Sequence, residues 1–372
     1  MTCSTPPKDP TWSARLSTGL IGLLAIGLTG CRAPCAAAVT QGLSLCTTVL
    51  LPALFPFFVL SGLVIETGLA LRLGARFARP MSRIFHLPGS SAALFFLGAL
   101  GGYPTGARAV ADLYRRGQCS KTDAERMLAL CNNCGPGFFL GVAGGTVLGS
   151  TAAGLALWLL HLTAALLCAR LCRGNASAAT APLPPPAFIG FPRALVRAVS
   201  GAVQSILGVC GFVLFFSVLL CLLQESGLLS VVSALLVLPF GSEAFARAFS
   251  SGLLEVSCGV TALATCSASL PLKGAAATFL LSFGGCSVFF QTMQQTEDTG
   301  LSLRRAFHMK LLQAVLSGTA AFFYLSFCQA DTVAFWHTFP HAPAFPLCAA
   351  LVFCLFALVK VRKRGYNIKS TR

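Results

Sequence analysis

The stretch Leu97-Gly98-Ala99-Leu100-Gly101-Gly102-Tyr103-Pro104-Thr105-Gly106-Ala107-Arg108 closes an apolar run over 90–107 and cannot extend it as a regular helix. Glycine loosens the backbone, while proline removes an N–H donor and clashes with the preceding turn. Apolar runs near the roughly 20 residues that cross a bilayer lie on either side of it. The stretch therefore reads as a broken or re-entrant membrane helix, whose freed N–H and C=O groups must face protein or a water-filled cavity. A helix restarting after Pro104 would point its N-terminal N–H groups at whatever binds, an arrangement that suits an anion. A kink that only aids packing is the plainer reading.

Composition agrees with a membrane setting. Of 372 residues, 55% are hydrophobic and only 10% are charged, and the mean hydropathy is +0.78. Soluble domains carry about 25% charged residues, so an ordinary cytosolic enzyme is excluded. The net charge of +16 does not point to nucleic acid, because the cations sit in short segments between apolar runs. These are Arg72, Arg76, Arg79 and Arg83; Arg115, Arg116, Lys121 and Arg126; Arg304, Arg305 and Lys310; and a basic tail over 360–372. Cytoplasmic loop bias places them so. Membrane lipid is thus an expected partner and nucleic acid is not.

Cysteine numbers 17, and most lie in apolar segments as small hydrophobes. Cys131 and Cys134 form a CxxC without a second pair at zinc spacing, so no metal or other cofactor is expected. At the N-terminus, Leu28-Thr29-Gly30-Cys31 looks like a lipoprotein cleavage box, but an uncleaved first helix is the preferred reading.

A polar, Pro-rich stretch over 173–192 separates two halves that echo each other. An offset of 152 pairs Gly89-Ser90 with Gly241-Ser242, Lys121 with Lys273 and Cys134 with Cys286. Earlier, Glu66-Thr67-Gly68-Leu69 recurs as Glu225-Ser226-Gly227-Leu228. The expected organisation is an N-terminal helix over 1–35, a first repeat over 36–172, the linker over 173–192, a second repeat over 193–328, and a C-terminal helix with a basic tail over 329–372. With an odd number of crossings between them the repeats are inverted, as in many secondary transporters.

Two further places break the apolar pattern. Asn132 and Asn133 stand in Cys131-Asn132-Asn133-Cys134-Gly135-Pro136, where each amide needs hydrogen-bond partners and a polar solute or ion would supply them; capping of a helix end is the competing reading. The matched stretch in the second half is Phe283-Gly284-Gly285-Cys286-Ser287, with Gln291 one turn beyond Ser287. Finally, Gly252-Leu253-Leu254-Glu255-Val256-Ser257-Cys258-Gly259 places a carboxylate inside an apolar run. An ionisable residue in a membrane is costly unless it lines a cavity or is paired, so Glu255 is the leading single candidate; a purely structural network is the alternative.

Gly101-Gly102-Tyr103-Pro104-Thr105-Gly106-Ala107-Arg108, Asn132-Asn133-Cys134-Gly135-Pro136, Leu254-Glu255-Val256, and Gly284-Gly285-Cys286-Ser287-Val288 with Gln291 together resemble the YlbJ-like sporulation integral membrane proteins. Those form part of a wider nucleoside-recognition or "gate" domain group. The resemblance implies a membrane carrier acting in sporulation, in the cell or forespore membrane of a Gram-positive bacterium, with dipicolinic acid as its cargo. Cys134 stands where that pattern has a small serine-like residue.

The expected fold is an all-α polytopic membrane protein built from two related repeats with broken or re-entrant helices. The expected function is transport of a small anionic solute, without enzymatic chemistry. Its site residues would be Gly102, Tyr103, Pro104, Thr105, Gly106, Arg108, Asn132, Asn133, Glu255, Ser257, Ser287 and Gln291. Alternatives are a nucleoside or nucleobase carrier and a structural sporulation protein that transports nothing.

Overall fold

The computed structural model describes residues 12–171, 173–174, 190–240 and 242–330, and every regular element among them is helical. Most of the Pro-rich linker, and all of the C-terminal helix and tail after 330, lie outside the described residues. Among the described residues, five helical stretches are long and apolar enough to cross a bilayer: Arg32–Leu50, Thr151–Leu171, Phe191–Glu225, Leu270–Thr299 and Arg304–Cys328. The protein is thus an all-α polytopic membrane protein.

In the first part, α1 (Trp12–Gly30) and α2 (Arg32–Leu45) lead through a π-helical turn into α3 (Leu51–Glu66). Gly68 then takes the left-handed conformation at φ 69° and turns the chain into α4 (Leu69–Pro80). A folded pair follows, α5 (Ser91–Gly101) and α6 (Thr105–Arg115). Next come α7 (Lys121–Cys131), a π-helical segment over Gly137–Val147, and α8 (Thr151–Leu171). The second part also passes through a glycine turn into a helix and then a helix pair. The long α9 (Phe191–Glu225) turns at Gly227, φ 74°, into α10 (Leu228–Phe240). The pair α11 (Glu243–Leu254) and α12 (Val256–Leu263) precedes α13 (Leu270–Phe283), α14 (Gly285–Thr296) and α15 (Arg304–Ala330).

Helix α9 runs antiparallel to the first three helices. A Cβ added to Gly27 would meet Leu222, one at Gly42 would meet Ser217, and one at Gly62 would meet Ala198, so contacts recede along α9 as they advance from α1 to α3. Glu66 pairs with Arg197 at 3.4 Å, near the start of α9. Glu225 closes the other end of that helix, some 42 Å away at about 1.5 Å per residue. The two Glu-x-Gly-Leu turns therefore lie at opposite ends of the molecule.

Cations collect at the end that holds Glu66. Arg126 donates to the carbonyls of Phe85 (2.7 Å) and His86 (2.8 Å) and pairs with Asp123 at 3.2 Å. Arg115 pairs with Asp112 and with Asp298 beyond α14. Large apolar side chains on α1, α9, α10 and α15, among them Leu23, Leu207, Leu235 and Phe327, are exposed, as a lipid-facing surface requires.

Candidate functional site

The site is assembled from four interruptions of helix. The first lies between α5 and α6, where Gly102 adopts φ 70° and Pro104 cannot donate. This hairpin packs directly on the end of α7. A Cβ on Gly98 would lie 1.6 Å from the Cys131 carbonyl oxygen and one on Gly106 2.1 Å from it, so neither position admits a side chain. Gly102 likewise abuts Gly135. The fold places Gly102 and Gly106 as packing points for backbone, and gives Tyr103 a wider reach: its hydroxyl donates to the carbonyls of Leu281 and Ser282, both at 3.3 Å, in the last turn of α13.

The second interruption carries the two asparagines. Asn133 donates from Nδ2 to the Leu130 carbonyl at 2.7 Å, closing α7, while its Oδ1 accepts from Lys310 Nζ at 2.9 Å and Gln313 Nε2 at 3.3 Å. Asn132 reaches the other half of the chain, donating from Nδ2 to Thr292 Oγ1 at 2.8 Å. Thr292 already donates to the Val288 carbonyl at 2.9 Å, so its hydroxyl must accept from Asn132, which fixes the amide's orientation. The Asn132 Oδ1 is then left buried with no hydrogen-bond partner.

The third is Glu255, extended between α11 and α12 and only 2% exposed. Its Oε2 accepts from the Cys258 N–H at 2.6 Å and its Oε1 from Ser287 Oγ at 3.4 Å. Glu255 thus caps α12, which supports the structural reading of this carboxylate at least as well as a solute-binding one. The fourth lies between α13 and α14, where Gly284 and Gly285 both have positive φ and no side chain caps the start of α14.

Two separate cavities lie beside some of these interruptions. Pro104, Thr105, Arg108 and Gln291 line a polar cavity of about 850 Å³, together with Glu66 and Arg197. Tyr103 and Asn132 line a second, more apolar cavity of about 260 Å³, with Thr292 and Lys310. Asn133 stands behind Lys310. Glu255, Ser257 and Ser287 are buried and line neither space. The expected site residues are therefore divided, not gathered in one pocket.

Sequence reading placed Lys310 among loop cations, because it follows Arg304 and Arg305 closely. It lies instead within α15 and is 7% exposed. Its ammonium donates to Asn133 Oδ1 and to Gln313 Oε1 (2.8 Å) and sits 5.9 Å from the centre of the Tyr103 ring. Among the described residues no carboxylate pairs with it. Polar groups continue beyond it. Gln313 donates to the His161 carbonyl at 3.1 Å, and His161 accepts from the Cys134 N–H at 3.3 Å through Nε2. The other ring nitrogen must then carry the proton, which it gives to Ser282 Oγ at 2.7 Å; Ser317 Oγ lies 2.8 Å from that hydroxyl. One signal was legible: Lys310, Gln313 and Ser317 recur at helical spacing within an otherwise apolar run.

With this geometry in hand, comparison with known proteins gives one informative result. No family model matches the chain, and no solved structure matches it. A curated protein does, over most of its length. The chain is similar to the sporulation integral membrane protein YlbJ of Bacillus subtilis (strain 168). The two are 28% identical over 304 residues, which cover 75% of this chain and 74% of YlbJ. The likeness to YlbJ and the five membrane-capable stretches together identify an integral membrane protein.

Proposed function

We propose that this protein is a sporulation membrane carrier for a small anionic solute, with dipicolinic acid the cargo that its YlbJ-like motifs imply. One observation carries the reading: helix interruptions from both halves meet inside the bundle and bring buried charged and amide side chains with them. Tyr103 reaches α13 and Asn132 reaches Thr292, so each half supplies part of the junction. Helices that only pack in a membrane favour small residues and have no need of a buried Glu255 or Lys310. The helix pair that follows a glycine turn in each part, and the position of those turns at opposite ends of α9, favour inverted repeats of the kind that alternate access. Arg108, on the wall of the larger cavity, would draw an anion inward.

The aromatic lining of the smaller cavity, with Asn132 beside it, favours a second reading, a nucleoside or nucleobase carrier within the gate-domain group. Proteoliposomes offered labelled dipicolinate in competition with nucleosides separate the two. The carrier reading expects protein-dependent dipicolinate uptake that excess nucleoside leaves unchanged. Competition by nucleoside would move the assignment to the second reading, and uptake of neither would leave a structural membrane protein.

A further inference from the structure

The buried face of the helical stretch Arg32–Leu50 carries only small side chains as far as Cys46, namely Cys35, Ala38, Gly42 and Cys46 itself. Small residues let helix backbones approach closely, and α9 fills the room they leave. A Cβ added to Gly42 would lie 3.2 Å from the Leu214 side chain and 2.9 Å from the Ser217 hydroxyl oxygen. The two antiparallel helices keep one register along this seam. Cys35, seven residues before Gly42, is in direct side-chain contact with Cys221, seven after Leu214. Cys46, four residues after Gly42, is in direct contact with Cys210, four before Leu214. The seam therefore sets thiol against thiol at two points, eleven residues apart on both helices, or about three turns. All four thiols are free.

The two pairs differ in access. Cys46 is buried and packs with Cys210 in the apolar core of the bundle. Cys35 and Cys221 lie within about one turn of the start of α2 and the end of α9, and Cys221 is only part-buried. Thiol–disulfide exchange needs one sulfur that a reagent can reach and a second sulfur beside it to complete the bond, and this pair offers both. The close approach at Gly42 serves the short Cα separation, about 4.4–6.8 Å, that a disulfide demands. We propose that Cys35 and Cys221 are a reversible disulfide site, closed by exchange with a low-molecular-weight disulfide, R–S–S–R, and tying α2 in the first half to α9 in the second. Cys221 attacks one sulfur of R–S–S–R, forming a mixed disulfide and releasing one R–SH. Cys35 then attacks the Cys221 sulfur and releases the second R–SH. Two electrons pass to R–S–S–R, and the two cysteine protons leave on the released thiols. The assignment is independent of the carrier reading, since the bond is measurable without transport.

The test uses the full chain in detergent, with a protease recognition sequence inserted in the linker over 173–192, so that cutting separates α2 from α9. The protein is equilibrated with oxidised glutathione, its remaining thiols are blocked with N-ethylmaleimide, the linker is cut, and the products are run on a denaturing gel with and without dithiothreitol. The two halves are expected to migrate as one species without reductant and to part when it is added. Cys35→Ala and Cys221→Ala should each reduce the linked species at least tenfold. Cys46→Ala, and Cys31→Ala one turn before Cys35, should leave it at the wild-type level. Mass spectrometry of digested, oxidised wild-type protein needs no variant, and should find a peptide containing Cys35 joined to one containing Cys221. Wild-type halves that part without reductant overturn the site, as does a linked species that survives Cys35→Ala in full or a joined peptide pair that excludes Cys35 or Cys221.

Discussion

Among the described residues, Glu255 and Lys310 are the two buried ionisable groups whose partners are neutral, and they differ in what holds them. Glu255 accepts an N–H at the start of α12, and a glutamine could still accept it through one oxygen. Glu255→Gln should therefore keep the protein folded, with a melting temperature close to wild type, while reducing solute uptake at least tenfold if the charge itself matters. Uptake at the wild-type rate would assign Glu255 to capping alone. Glu255→Ala removes the cap as well and should lower stability by about 1–2 kcal/mol. The two asparagines also separate. Asn133→Ala strips Lys310 of an acceptor and should destabilise the fold by roughly 1–3 kcal/mol in denaturant melts. Asn132→Ala should weaken solute affinity with less effect on stability, since it gives up a single neutral bond, to Thr292, whose hydroxyl still donates to the Val288 carbonyl. Glu255 and the asparagines stood out in the sequence because polar residues are rare in apolar runs. Lys310 did not, because one cation shortly after two others looks like the edge of a loop.

Helix breaks were legible to unequal degrees. Gly102 and Pro104 announce themselves, and the hairpin of α5 and α6 forms around them. Hydropathy alone merged 124–149, 246–268 and 274–293 into single runs. Each is interrupted, at Asn132 to Pro136, at Glu255 and at Gly284, because one or two small or polar residues barely change the average over a window. The π-helical segment Gly137–Val147 left no such trace, since its composition is that of any apolar helix. The hairpin's docking depends on missing side chains. Gly106→Ala would drive a methyl group into the Cys131 carbonyl and should sharply reduce folded yield. Gly201→Ala, in the middle of α9 with open space around it, should be neutral or stabilising by up to about 1 kcal/mol. A size-exclusion profile and thermal melt of both variants compare them directly. Equal tolerance would mean that α5 and α6 do not rest on the end of α7.

For the molecule as a whole, the antiparallel course of α9 against α1 to α3 sets the two glycine turns at opposite ends, and the cations around Arg115 and Arg126 gather at one of them. Internal offsets in the sequence suggested the pairing of halves, but not their relative direction, which depends on counting crossings through interrupted helices. Single cysteines at Arg72→Cys and Ser230→Cys, in a background lacking the native cysteines, should react with an impermeant thiol reagent from opposite sides of the membrane. Reaction from one side would mean parallel repeats or none. The most direct measurement is counterflow. Proteoliposomes loaded with unlabelled dipicolinate and diluted into a trace of labelled dipicolinate should accumulate label transiently above equilibrium, as only a carrier exchanging solute across alternating faces does. Label that enters no faster than into protein-free vesicles would contradict transport of this anion.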